Sequence, residues 1–172
     1  MPEIFRTRDT IIFYKGDTCT VVVSPSMALT GWAGGQGVQW FDPGRDELAV
    51  DLSDGVPNGF VLWGSDETSD RYTSLTRNQP TYGYGTVGFG GWLLATRTFE
   101  QFTLASRLAP PEVEIVYNPQ DILYFSLRGL WTREDEWSIS GDPRAPNTYP
   151  TGVVVQPPSS NAAGYMTIQV RL

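Results

Sequence analysis

This sequence predicts an all-β domain: an antiparallel β-sandwich or barrel with long loops, extended arms and at most one short helix. Three observations carry that expectation. Several segments alternate apolar and polar residues with a period of two, 18 Gly and 13 Pro punctuate the chain, and 13% of its residues are aromatic. At 172 residues the chain has the length of one ordinary domain and can bury a core without a disulfide or metal.

Taken in order, residues 1–9 are extended and mixed in charge, so an N-terminal arm is expected before a single β domain over residues 10–172. The runs Ile11-Ile12-Phe13, Val21-Val22-Val23 and Phe60-Val61-Leu62-Trp63 read as strands covered on both faces. Lys15-Gly16-Asp17 separates the first two at hairpin distance. Alternation places Leu48, Val50 and Leu52 on one face, and likewise Val113, Ile115 and Tyr117. The same pattern groups Leu123, Phe125 and Leu127, then Met166, Ile168, Val170 and Leu172. Thr98-Phe99-Glu100-Gln101 has capping-box spacing, with Phe102, Ala105 and Leu108 on one helical face before Pro110-Pro111. A short helix near residues 98–108 or a continued strand both fit. Residues 140–162 carry five prolines among Gly, Ser and Asn, which predicts a long extended loop. It is either a polar linker or an arm over a neighbouring subunit.

Composition excludes much chemistry. The chain has no His, one Cys and one Lys, Lys15, in a context without a phosphate-binding loop. A Ser-His-Asp or Cys-His nucleophile, a His-ligated metal and a Cys-held zinc are therefore out. Acidic residues outnumber basic ones 19 to 12 with no basic run, which argues against a nucleic-acid partner. No stretch approaches a membrane span, and Ile11-Ile12-Phe13 is too short for a signal-peptide core, so synthesis in a cytoplasm is expected.

Four clusters invite a chemical reading, and each has a plainer one. Gly83, Gly85 and Gly88 spell a dinucleotide fingerprint, but Phe89 to Leu94 read as glycine loop then strand rather than helix. Asp66, Glu67 and Asp70 resemble a calcium loop without its alternate ligand spacing, and fit a solvated turn better. Glu134, Asp135 and Glu136 between Trp131 and Trp137 have the residue types of a glycosidase pair, or form a charged loop held by two Trp. Cys19 alternates with Val21 and Val23 and reads as a small core residue. No catalytic, cofactor or metal residue is expected.

The aromatic surplus is more informative. Trp32, Trp40, Tyr82, Tyr84, Trp131, Trp137 and Tyr149 lie in or near Gly/Pro-rich segments, where alternation does not bury them. They stack on sugars, anchor a protein interface, or cap the ends of a β-core. In the arm, Ile4 and Phe5 offer apolar anchors and Arg6 and Arg8 charged ones. That segment adds as a strand to a neighbouring subunit's sheet edge, or forms an edge strand of its own domain.

Asn58-Gly59-Phe60-Val61-Leu62-Trp63, then Asp66-Glu67-Thr68 and Asp70-Arg71-Tyr72, and after a gap Gly85-Thr86-Val87-Gly88-Phe89-Gly90-Gly91-Trp92-Leu93-Leu94, form a recurring rhythm. It is similar to that of tailed-bacteriophage head decoration (cement) proteins, over about residues 58–94 of this longer chain. The resemblance implies a β-rich, non-enzymatic subunit, often trimeric, clamping the major capsid protein on the outside of the virion. A tail or baseplate subunit shares these features, and a carbohydrate-binding β-sandwich is the third reading, marked by a coplanar row of aromatic rings.

Overall fold

The computed structural model describes residues 3, 5–44, 46, 48–53, 56–65, 84–141 and 149–172. In chain order the elements are β1 (Phe5–Arg6), β2 (Thr10–Tyr14), β3 (Thr18–Val23), α1 (Pro25–Thr30), β4 (Gly37–Phe41), β5 (Ala49–Leu52), β6 (Gly59–Val61) and β7 (Tyr84–Gly88). They continue as β8 (Leu93–Thr96), α2 (Leu104–Leu108), β9 (Ile122–Phe125), β10 (Trp131–Thr132), α3 (Glu136–Ser140), β11 (Gly152–Gln156) and β12 (Met166–Val170). The fold is all-β with short helices, as the alternation predicts. It holds three such helices among the described residues rather than one.

Five strands, in the order β3-β5-β4-β6-β7, close into a barrel. Its interior is lined by Val21, Val23, Val38, Val50, Val61 and Val87, small β-branched side chains that pack well on a pleated surface. α1 stoppers the end where β3 finishes. Ser24 caps it by accepting from the Met27 amide at 3.0 Å, and Pro25 sits in the first turn, where no N–H is needed. Met27 and Trp32 then pack into the barrel core, and the Trp32 indole donates to the Trp63 carbonyl at 2.8 Å.

The other seven strands form one sheet in the order β1-β2-β8-β12-β11-β9-β10. It curls back on itself. After a bend at Arg97, residues 98–100 follow β8 and lie along the far edge of β10: Phe99 bridges Trp131 in parallel, and the Glu100 amide donates to the Trp131 carbonyl at 2.8 Å. The enclosed core contains Trp92, Leu94, Phe125, Trp131, Met166 and Ile168. β6 joins the two regions by alternation, since Val61 faces the barrel while Phe60 packs edge-on against Trp92 and Trp131 at 5.6 and 6.2 Å. The Trp131 indole reaches across to donate to the Gly35 carbonyl at 2.8 Å.

Several expectations are corrected. Lys15-Gly16-Asp17 makes no hairpin, because β2 belongs to the sheet and β3 to the barrel. The Thr98 capping box is unused. Its hydroxyl donates to the Gly34 carbonyl, and α2 starts five residues later on Thr103, which accepts from Ser106 at 3.3 Å. The loop expected over residues 140–162 contains β11, where the run Val153-Val154-Val155 outweighs its proline-rich flanks. Of the alternating Val113, Ile115 and Tyr117, only the last two turn inward, and no strand forms there beyond a Phe102–Glu114 bridge. Of the two readings open for the arm, the structure has the edge strand of its own domain at Phe5 and Arg6, which pair with Ile12 and Ile11.

Candidate functional site

The structure divides the candidate interface residues. Trp131 and Trp137 are buried, and Trp32 nearly so, as parts of the internal packing. Trp137 donates its indole N–H to the Phe125 carbonyl at 3.2 Å. These three cap and fill the β-core, the plainest of the roles open to them, and cannot join an exposed row of rings. Tyr84 and Phe5 lie on β7 and β1, and Arg6 and Arg8 are exposed, Arg6 within 3.4 Å of Glu3. Ile4, Tyr82 and the acidic turn at residues 66–70 lie outside the described residues.

Among the aromatic candidates whose side chains are described, Trp40 and Tyr149 keep accessible rings, at 45% and 43% exposure. Trp40 shares the inward-facing parity of Val38 on β4, yet it sits where the barrel ends. Its ring lies 6.0 Å from that of Phe89, which passes over the bare backbone of Gly59. Leu48 alternates with Val50 but is 65% exposed, so its expected burial fails because it lies just outside β5, whose first residues Ala49 and Val50 are buried. Val56, two residues before the Asn58 side chain that accepts from the Trp40 amide at 2.9 Å, is exposed too. Among the described residues, one end of the barrel is stoppered by α1, while Trp40 and Leu48 stand exposed at the other.

The three adjacent carboxylates have other work. Glu134 accepts from the Leu104 amide at 2.9 Å, closing an orphan donor at the start of α2. Asp135 caps α3 by accepting from the Ser138 amide at 3.0 Å. Glu136 is fully buried, accepts from the Leu127 amide at 3.1 Å and is paired with Arg107. Arg107 also lies 3.6 Å from Glu100, a second fully buried carboxylate. Glu100 accepts from Ser126 at 2.7 Å and receives the forked guanidinium of Arg128, whose Nε is 3.0 Å away.

Burial pushes the Glu136 carboxyl above its ordinary range, against the pull of the Leu127 amide and Arg107. Hydrogen bonding to Glu100 holds Arg128 still more firmly protonated. Burial raises the Tyr117 phenol, whose hydroxyl donates to the Glu100 carbonyl at 2.7 Å, and the Cys19 thiol as well. The network ties α2, α3 and the turn after β9 to one point. Sequence reading passed over Glu100, Arg107 and Arg128. The signal available was a lone charge in each of two apolar settings, Leu104-Ala105-Ser106-Arg107-Leu108 and Leu127-Arg128-Gly129-Leu130.

Gly85 and Gly88 are residues of β7, hydrogen-bonded between β3 and β6, with the Phe60 ring where a Gly88 side chain would go. They are packing glycines of a strand. Comparison with family models, with curated proteins and with solved structures finds no match.

Proposed function

We propose that this protein is a non-catalytic structural subunit that docks on a protein shell, most concretely a decoration protein on the outside of a tailed-phage head. The observation that carries the reading is the barrel end away from α1, where Trp40 and Leu48 expose apolar surface beside the Trp40–Phe89 ring pair. Aromatic anchors of this kind dominate protein interfaces when a partner desolvates them. The resemblance adds support, since parts of the two segments that carry it, residues 59–61 and 85–88, lie in neighbouring antiparallel strands of this same barrel. The occupied carboxylates beside Trp131 and Trp137 support a structural reading over hydrolysis. In this proposal the partners are the major capsid protein and further copies of the chain in a trimer, whose closed symmetry hides surface without growing filaments.

The test is co-sedimentation and negative-stain microscopy of purified protein mixed with empty capsid shells. Saturable decoration is expected, abolished in the double variant Trp40→Ser, Leu48→Ser with its circular dichroism unchanged. Binding to tails instead of heads would select the tail or baseplate reading. Undiminished shell binding by the double variant would remove the barrel end from the mechanism.

A further inference from the structure

Residues 112–116, between α2 and β9, are paired along one edge only. Phe102 bridges Glu114, with the Thr103 amide donating to the Val113 carbonyl and the Ile115 amide to the Gln101 carbonyl, both at 2.9 Å. The Asn161 side-chain amide extends this pairing, donating to the Gln101 and Ile115 carbonyls at 3.0 and 2.8 Å. Extended backbone turns the N–H and C=O groups of successive residues to opposite sides, so those of Glu112, Glu114 and Val116 face away from this ladder. Arg133 donates to the Val116 carbonyl. Both groups of Glu112, both of Glu114 and the Val116 N–H have no partner among the described residues.

The other strand edges are closed or short. The barrel has none, residues 98–100 lie along the far edge of β10, and β1 presents two residues. The 112–116 edge is also firmly seated. Ile115 and Tyr117 are buried in the core of the sheet region. The Tyr117 ring packs edge-on against Phe99 at 5.6 Å, and its hydroxyl donates to the Glu100 carbonyl at 2.7 Å. An added strand would meet backbone already in place, so the cost of ordering falls on the newcomer alone.

The side chains name that newcomer. Glu112, Glu114 and Val116 share the face opposite to Ile115 and Tyr117, and all three are exposed. Neither carboxylate has an ion-pair partner among the described residues. Pairing two copies edge to edge would set Glu114 against its own counterpart, or Glu112 against Glu114, and like charges directly opposite destabilise. A basic strand gains where a second copy loses. In antiparallel pairing, a segment reading apolar, any, basic, any, basic places its first residue on Val116 and its two cations on Glu114 and Glu112. Arg133, beside Val116, disfavours a cation at the first position and so fixes the register.

We propose that residues 112–116 are a docking edge for an extended basic segment of a partner protein, added as an antiparallel strand. The chain's own Ile4-Phe5-Arg6-Thr7-Arg8 has this order, but Phe5 and Arg6 are paired with β2, and Arg8 lies 3.3 Å from Asp9. The edge shares no residue with the barrel end and is independent of the shell-docking reading.

Hydrogen exchange of the full-length protein reads the edge directly. Alone, the Glu114 and Val116 amides should exchange freely while the Ile115 amide is protected. The probe is a short synthetic peptide in which threonine alternates with valine, arginine and arginine, in that order. At low salt it should slow exchange at Glu114 and Val116, and a version with glutamate for arginine should not. N-methylating the valine and arginines removes the donors that face the edge and should abolish binding. N-methylating the threonines should spare it. Glu112→Gln with Glu114→Gln should weaken binding about three- to tenfold, the worth of two exposed cross-strand pairs, without lowering the melting temperature. Glu112→Lys with Glu114→Lys should switch preference to the glutamate peptide. No slowing with the arginine peptide, equal response to both peptides, or indifference to where the methyls sit would overturn the inference. Protection of Glu114 and Val116 that grows with protein concentration, with no peptide present, would overturn it in favour of a second copy. Deletion of residues 2–6 would then assign the contact to that copy's arm if protection disappears, and to its own edge if protection stays.

Discussion

The barrel and the curled sheet solve the same problem with different materials. The barrel interior is almost wholly Val, with Met27 and Trp32 as a stopper and the partly buried Cys19, Leu52 and Phe89 packed against it. The sheet region encloses Trp92, Trp131 and Phe125 and, beside them, Glu100, Glu136 and Arg107. Closure explains the contrast. A closed barrel satisfies its backbone groups within its own ladder, so its side chains are free to be small and apolar. The sheet closes through a single bridge at Phe99 and Trp131, and long non-strand segments pack over it. Their backbone groups need side-chain partners. Glu134 serves Leu104, Glu136 serves Leu127, and Asn161 serves both Gln101 and Ile115. Buried charge here completes the hydrogen bonding of irregular chain.

That contrast can be broken from its strongest point downward. Trp131→Ala should destabilise by about 3–5 kcal/mol in urea titration, since it opens a large cavity and removes the donor to Gly35. Arg107→Ala should cost about 3–5 kcal/mol, because it leaves the buried Glu136 without its cation, while Glu100 keeps Arg128. If either variant unfolds within 1 kcal/mol of the parent, on the order of an exposed site, the sheet region does not depend on these groups as argued. Gly37→Ala probes the join. A Cβ there would come within 2.5 Å of the Phe125 ring, so a loss of about 1–3 kcal/mol is expected in calorimetry.

The pH dependence sharpens the same point. The Glu136 carboxyl is raised from 4.5, so the folded protein holds this proton more tightly than the unfolded chain does. The stabilisation is fully present below 4.5 and is lost as pH rises through the folded value. In Glu136→Gln that contribution to the slope, at most about 1.4 kcal/mol per pH unit, should vanish in denaturant titrations across the window. An unchanged slope would mean that Arg107 and Leu127 hold the carboxylate at its ordinary value. The smallest effect belongs to the barrel end: Trp40→Ala should cost no more than about 1 kcal/mol, because the ring is half in water and little cavity remains.

How much of this was legible tracks the same division. Regular alternation gave β12 and β9 with their buried faces, since Met166, Ile168, Val170, Leu123 and Phe125 turn inward as their spacing demands. The continuous run at Phe60 marked a strand covered on both sides because it sits between two cores. Partnering was not legible. Nothing local says that β2 pairs with β8 rather than with β3, because sheet membership is fixed by contacts some eighty residues apart, such as Ile12 with Leu94. The buried network was hidden for a related reason. Glu100, Arg107, Arg128 and Glu136 are scattered along the chain, and their apolar neighbours read as core while the charges read as surface. The aromatic surplus was visible, but whether a given Trp anchors a core or a surface depended on which strand end carried it.

The direct pairing of β2 with β8 also orders events during synthesis. Every barrel strand lies between those two, so the barrel is a loop of chain inserted into the sheet, with its entry and exit held side by side where Tyr14 meets Leu93. On the ribosome the barrel strands are all made once Gly88 has been added. The sheet must wait for β12, which flanks β8 on its other side and ends at Val170. At about 5–20 residues per second, the intervening stretch takes roughly 4 to 16 s to add. During that interval a nascent chain would carry a finished barrel beside an unfinished sheet, its β2–β8 pair exposing the edge that β12 later covers.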